Sequence, residues 1–189
     1  VKKKESVGRM FANGGLFVLL VVSILFCMLT VLCSVNYYRD EFSKVAGFEI
    51  RTHSTEELRE LCVSLAEEVN AASRQVERDE EGNLILPEDT GEEAMKAMEN
   101  LGRQYEALSG YYPRPKKVLF GDVMSYQSLM GLYSAFTLES MYNGDMMTYN
   151  VPDTMCHELS HLKGFMREDE ANFIGYLACR ESGNPVRQY

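Results

Sequence analysis

The stretch Pro152-Asp153-Thr154-Met155-Cys156-His157-Glu158-Leu159-Ser160-His161-Leu162-Lys163-Gly164 decides how this chain is read, because it holds an H-E-x-x-H motif and two of the three histidines. On a helix, residues four apart leave the same face one turn apart. Both imidazoles can then reach one divalent ion, while Glu158 is aimed at the water that such an ion carries. Pro152-Asp153 supplies a helix start, with Asp153 as the expected N-cap. Gly164 lets the chain leave the helix one turn after His161. The motif therefore points to a zinc-dependent hydrolase, and among hydrolases to a peptidase.

A catalytic zinc takes a third protein ligand and keeps one position open. Arg167 stands where an H-E-x-x-H-x-x-G-x-x-H chain places its third histidine. A guanidinium does not ligate zinc, so that arrangement is excluded. Next come Glu168-Asp169-Glu170-Ala171-Asn172 and the mostly apolar run from Phe173 to Cys179, expected as a second helix. Glu168 and Glu170 point in different directions on a helix, so only one of them faces a metal. The same acidic cluster also suits a first helical turn, where carboxylates complement the helix dipole.

The order E-x-x-A-N resembles the E-x-x-A-D or E-x-x-A-N segment of gluzincin-type peptidases. That resemblance implies Glu168 as the third zinc ligand and Asn172 as the residue supporting a ligand histidine. Glu170 is the alternative ligand, and a ligand elsewhere in the chain is a third option. The longer string from Cys156 through the motif to Gly164-Phe165-Met166-Arg167-Glu168-Asp169-Glu170-Ala171-Asn172-Phe173 resembles an uncharacterised family of bacterial membrane proteins. Those have several membrane helices and an external zincin-like domain. The resemblance runs from the apolar segment to the end of the chain and is sharpest over residues 150–185.

The length of 189 residues suits one soluble domain plus one membrane segment. From Gly14 to Val35 the chain carries no charge and is rich in Leu, Val, Ile and Phe; as a helix it reaches about 33 Å, enough to cross a bilayer core. Lys2, Lys3, Lys4 and Arg9 precede it, and Tyr37 and Tyr38 follow at interfacial positions. The basic side is expected in the cytoplasm. The chain then divides into a cytoplasmic flank (1–13), a transmembrane helix (14–35), a juxtamembrane linker (36–53) and an extracytoplasmic domain (54–189) at a bacterial cytoplasmic membrane. The apolar run is longer than a signal-peptide core, so a retained anchor is expected. The start at Val1, without an initiator Met, suggests a fragment with further membrane helices elsewhere.

Five cysteines give no disulfide framework: Cys27 and Cys33 lie in the membrane segment, and Cys62, Cys156 and Cys179 are expected as buried thiols. A formal net charge of −9 argues against nucleic acid as a partner.

The expected fold is α+β and mostly helical, with a small antiparallel sheet or hairpin beside the H-E-x-x-H helix. Ser54-Thr55-Glu56-Glu57 reads as a capping box opening a helix whose stripe Leu58, Leu61, Cys62, Leu65 and Val69 packs on the catalytic core. Thr90-Gly91-Glu92-Glu93 reads as a second box, opening a helix with Ala94, Met98, Leu101, Tyr105 and Leu108 buried and Gly110 at its end. Lys117-Val118-Leu119-Phe120 reads as a strand. A hairpin is expected to turn at Asn143-Gly144-Asp145, with arms at 135–139 and 146–150. One arm would pair with an extended substrate backbone, or the hairpin simply covers the core.

The function expected from these residues is a membrane-anchored zinc metallopeptidase that hydrolyses peptide bonds through a zinc-activated water, with Glu158 as general base. Its partners would be a peptide or protein substrate and, along 14–35, membrane lipid. His53, Arg167, Tyr149 and Tyr176 are candidates for a second oxyanion donor. The alternatives are a non-catalytic membrane protein with a structural or sensory zinc site, and a regulatory ectodomain that binds a partner. Glu158 favours the enzyme, because a structural zinc needs no base and closes its fourth position.

Overall fold

The computed structural model describes residues 7–188, so Lys2, Lys3 and Lys4 of the expected basic flank lie outside the described residues. Helix α1 (Val7–Leu32) holds the apolar run. It is long and apolar enough to cross a membrane, and none of its most apolar window is buried against protein. It starts before residue 14 and stops short of 35. A 3-10 turn (Ser34–Tyr38) follows it, and the amide of Asn36 donates to the Leu32 carbonyl at 3.2 Å.

The expected linker over 36–53 is instead part of the folded domain. The Arg39 guanidinium donates to the Lys163 carbonyl and stacks 4.1 Å over the Phe165 ring. Helix α2 (Phe42–Ala46) then buries Phe42, whose ring packs edge-on against Phe165 at 5.2 Å and Tyr105 at 5.5 Å. An aromatic side chain this large is worth several kcal/mol of burial, of order 2–3, which a solvated linker could not supply.

Helix α3 (Thr55–Ser73) opens on the expected capping box, in which the Glu57 amide donates to the Ser54 hydroxyl and the Ser54 amide to the Glu57 carboxylate. Its apolar stripe does not pack on the core as expected. Leu58, Leu61 and Cys62 are exposed, and Ala72 alone on this helix is fully buried. Only the C-terminal half of α3 meets the domain, where Glu68 pairs with Arg180 at 3.1 Å.

Helix α4 (Thr90–Gln104) buries Ala94, Met98 and Leu101 as expected, but its ends differ. The Thr90 hydroxyl donates to the Pro87 carbonyl, so no capping box forms and Asp89 is the N-cap. The helix stops before Gly110 because the chain folds back on it: a Cβ at Gly102 would lie 2.6 Å from the Leu108 carbonyl oxygen. Leu108 is buried from that returning turn.

Three short strands follow: β1 (Lys116–Lys117), β2 (Gly131–Ser134) and β3 (Glu139–Tyr142), with helix α5 (Gly121–Tyr126) between the first two. The sheet order is β1-β3-β2, with β1 parallel and β2 antiparallel to β3. It is a mixed sheet, and of the expected strand at 117–120 only Lys117 is strand, as the second residue of β1. The hairpin also turns earlier than expected, over Ala135–Leu138, so 135–139 is mostly turn and 146–150 is not a strand. Asn143 opens a short Asx turn after β3 rather than the hairpin turn, and its side chain is buried and engaged. Its amide donates to the Ser125 hydroxyl at 2.9 Å and the Leu129 carbonyl at 3.2 Å, and its oxygen accepts the Asp145 N–H.

Helix α6 (Val151–Leu162) is surrounded by α4, the sheet and α7 (Glu168–Glu181). Its N-cap is Asn150, with Pro152 in the first turn, so it begins ahead of the expected Asp153. The close approach of α7 is permitted by Gly175, where a Cβ would lie 2.9 Å from the Asp153 carboxylate and 3.3 Å from the His157 backbone nitrogen. Gly102→Ala should destabilise the domain by about 1–3 kcal/mol through the clash with the Leu108 carbonyl. Urea unfolding measures this, and unchanged stability would contradict the described return of the chain.

Candidate metal centre

The sequence places His157, Glu158 and His161 within about one turn of α6, with the two histidines on one face. The His157 and His161 Nε2 atoms stand 3.1 Å apart, with their rings perpendicular. Two ligands about 2.0–2.1 Å from a tetrahedral zinc stand about 3.3 Å apart, so the pair is already near that spacing.

The third group arrives through a short return. Gly164 adopts φ +85°, a conformation that suits glycine, and ends α6. After Phe165 and Met166, which are buried, α7 begins at Glu168. The Glu168 carboxylate lies 3.3 Å from His157 Nε2 and 3.7 Å from His161 Nε2. One turn further along α7, the Asn172 side chain hydrogen-bonds His157. Glu158 also brings a carboxylate oxygen within 4.8 Å of both imidazole nitrogens.

The same return fixes a tautomer. His161 Nδ1 lies 2.7 Å from the Phe165 carbonyl oxygen, which can only accept, so Nδ1 carries the proton. The neutral ring then presents an Nε2 lone pair towards His157. Burial, and after it the neighbouring His161, hold His157 below the ordinary imidazole range, against the opposing effects of Glu168 and Asn172. Two nitrogen lone pairs and a carboxylate facing one point repel unless a cation or proton lies between them. This donor set fits a divalent ion.

Glu158 is 5 % exposed, and its Oε2 has no hydrogen-bond partner among the described residues. Burial, and then the Glu168 carboxylate, push its carboxyl up to about 8. The reason it can sit there is Gly131: a Cβ at that position would lie 2.3 Å from Glu158 Oε1 and 2.6 Å from Cγ. Strand β2 is an outer strand, and its residues Gly131, Leu132 and Tyr133 line one wall of a cleft of about 550 Å³. His157, Glu158, His161 and Glu168 line the other side, and Tyr37 also borders it.

The remaining expected residues lie elsewhere. Glu170 accepts the Phe42 N–H at 2.6 Å, capping α2, so it is not beside the two imidazoles. Arg167 pairs with Glu41 at 2.6 Å. Tyr176 accepts a hydrogen bond from Arg180 at 2.8 Å, and Tyr149 shares a separate cavity with it. His53 is exposed beside Glu57. None of these four oxyanion candidates borders the cleft. Sequence reasoning instead missed Tyr133, whose ring centroid lies 6.4 Å from that of His161 and whose phenol is raised by burial, keeping its O–H a donor. Nothing local marked it, because its role depends on where β2 docks. Glu170→Ala should cost about 1–2 kcal/mol by uncapping α2, read by denaturation. The ring NMR signals of His157 and His161 should stay unchanged; a large shift in them would return Glu170 to the candidate site.

No curated protein and no solved structure matches this chain. One family model does, described as a protein of unknown function (DUF3810), and it spans residues 1–189. The match takes in the membrane-length helix and the histidine-bearing helix together: the chain belongs to the DUF3810 family.

Proposed function

We propose that this chain is a membrane-anchored, zinc-dependent peptidase of gluzincin-like chemistry. The observation that carries the reading is the convergence of His157 Nε2, His161 Nε2 and the Glu168 carboxylate beside a buried carboxylate oxygen with no partner. His157, His161 and Glu168 would hold the metal, with the Phe165 carbonyl and Asn172 orienting the two rings. When bound, zinc would supply Lewis acidity, polarising a carbonyl and acidifying water.

The chain's own residues divide the remaining work. Glu158, pinned under Gly131 and drawn to its ionised form by a cation held at the site, takes a proton from the attacking water on its unpartnered oxygen and returns it to the leaving amine. The outer edge of β2 offers free backbone donors and acceptors to an extended peptide. Tyr133 lines the same cleft, where its O–H could stabilise charge on the carbonyl oxygen. The apolar α1 supports the anchor, and a site with an unpartnered general base favours an enzyme over a structural zinc.

Metal analysis of the purified chain tests the reading. The parent should bind about one zinc, and Glu168→Ala should lose most of it. Glu158→Gln should keep the metal and lose peptide hydrolysis by about 10²–10⁴-fold. Gly131→Ala, which drives a methyl into Glu158, should behave like Glu158→Gln rather than like Glu168→Ala. A Glu158→Gln chain that hydrolyses a peptide library as fast as the parent would end the enzyme reading.

A further inference from the structure

The cleft sits unusually close to the end of the apolar helix. Cys33, the residue after α1, lies with its sulfur 3.6 Å from that of Met166, and Met166 borders the cleft. Tyr37, five residues beyond Leu32, borders it too. Five residues of 3-10 helix rise about 10 Å at most, and the headgroup layer outside the hydrocarbon is about 5–8 Å deep. If α1 spans a bilayer, this cleft wall lies at the headgroup layer or its outer boundary.

A second feature points the same way. Between Val118 and Leu138, Asp122 is the only charged residue. Helix α5 turns Gly121 and Met124 inward and leaves Val123 and Tyr126 outside. Leu119 is 92 % exposed, Phe120 72 % and Tyr126 93 %, so these large side chains have almost no protein cover. The same segment continues through Leu129 and Met130 into the cleft wall that faces Tyr37 across the same cavity. Lys116 and Lys117 stand at its base. Exposed aromatic and aliphatic side chains with lysines behind them are the composition of a segment that rests in a membrane interface.

We propose that residues 119–130 form a lip lying in the membrane interface, so that the cleft opens onto the bilayer surface. There it takes polypeptide segments as they emerge from the membrane. The lip follows from the geometry of α1 and the cleft; the substrate class rests on the peptidase reading above. A peptide tethered in the same membrane would reach the cleft at high effective concentration, whereas a free peptide must first find the surface.

The chain contains no tryptophan, so a single one is a clean reporter. Phe120→Trp, Tyr126→Trp and the exposed control Ile85→Trp would be made in the full chain and reconstituted into phosphatidylcholine vesicles with brominated acyl chains. Emission at 120 and 126 should move to the blue and be quenched by roughly twofold more than at 85, as for side chains sunk about 5–10 Å into the interface. Equal quenching at all three positions would overturn the lip, with or without catalysis. In the second arm, one peptide library is offered both free and on a transmembrane anchor. The parent should cleave the anchored form at least about tenfold faster, and the double variant Phe120→Ser, Tyr126→Ser should lose that preference. Equal rates on both forms would overturn the substrate class. Lipid quenching without cleavage in either arm would support the lip and count against the peptidase reading.

Discussion

One hydrogen bond organises the site: the Nδ1 proton of His161 donated to the Phe165 carbonyl. A carbonyl oxygen has no proton to give, so this bond fixes the tautomer and leaves the Nε2 lone pair facing His157. It exists only because Gly164 turns the chain sharply enough to bring Phe165 back beneath its own helix. The same turn sets Glu168 at the head of α7, opposite both imidazoles. One backbone reversal thus aims a nitrogen and delivers a carboxylate to the same point.

The fold is arranged to hold that reversal rigid. Phe165 is buried under the Arg39 guanidinium and against the Phe42 ring, so the segment just after the apolar helix clamps the loop that shapes the site. Glu170, on α7, accepts the first amide of α2 and fastens the clamp from the other side. Gly175 lets α7 lie against α6, and Gly131 lets β2 close over Glu158. Two missing side chains, one on each flank, set how near the walls of the cleft approach the α6 residues. The membrane-length helix and the candidate site are therefore one mechanical unit, joined through residues 33–42.

Much of this was legible in the sequence where the signal is local. The i, i+4 histidines, the glycine ending α6, the apolar run and the capping box at Ser54 each depend on neighbours within a turn or two. The assignments that went astray depended on partners far along the chain. Asn143-Gly144-Asp145 has the composition of a hairpin turn, but Asn143 is held by Ser125 and Leu129, and the turn forms at 135–138 instead. The stripe on α3 has the right period for a buried face, yet Leu58, Leu61, Cys62 and Val69 are exposed and Leu65 is only half-buried. Thr90 resembled a cap, and Pro87 took its hydroxyl. Gly131 and Tyr133 carried no local pattern at all, because their importance arises only once β2 is laid beside α6.

The central claim is chemical: two imidazoles and one carboxylate gather round a single zinc. X-ray absorption at the zinc edge of the metal-loaded chain measures that shell directly. The account predicts two nitrogen scatterers and carboxylate oxygen, at about 2.0–2.2 Å, with no sulfur. A shell containing sulfur at about 2.3 Å, as Cys156 or another thiol would give, would contradict it.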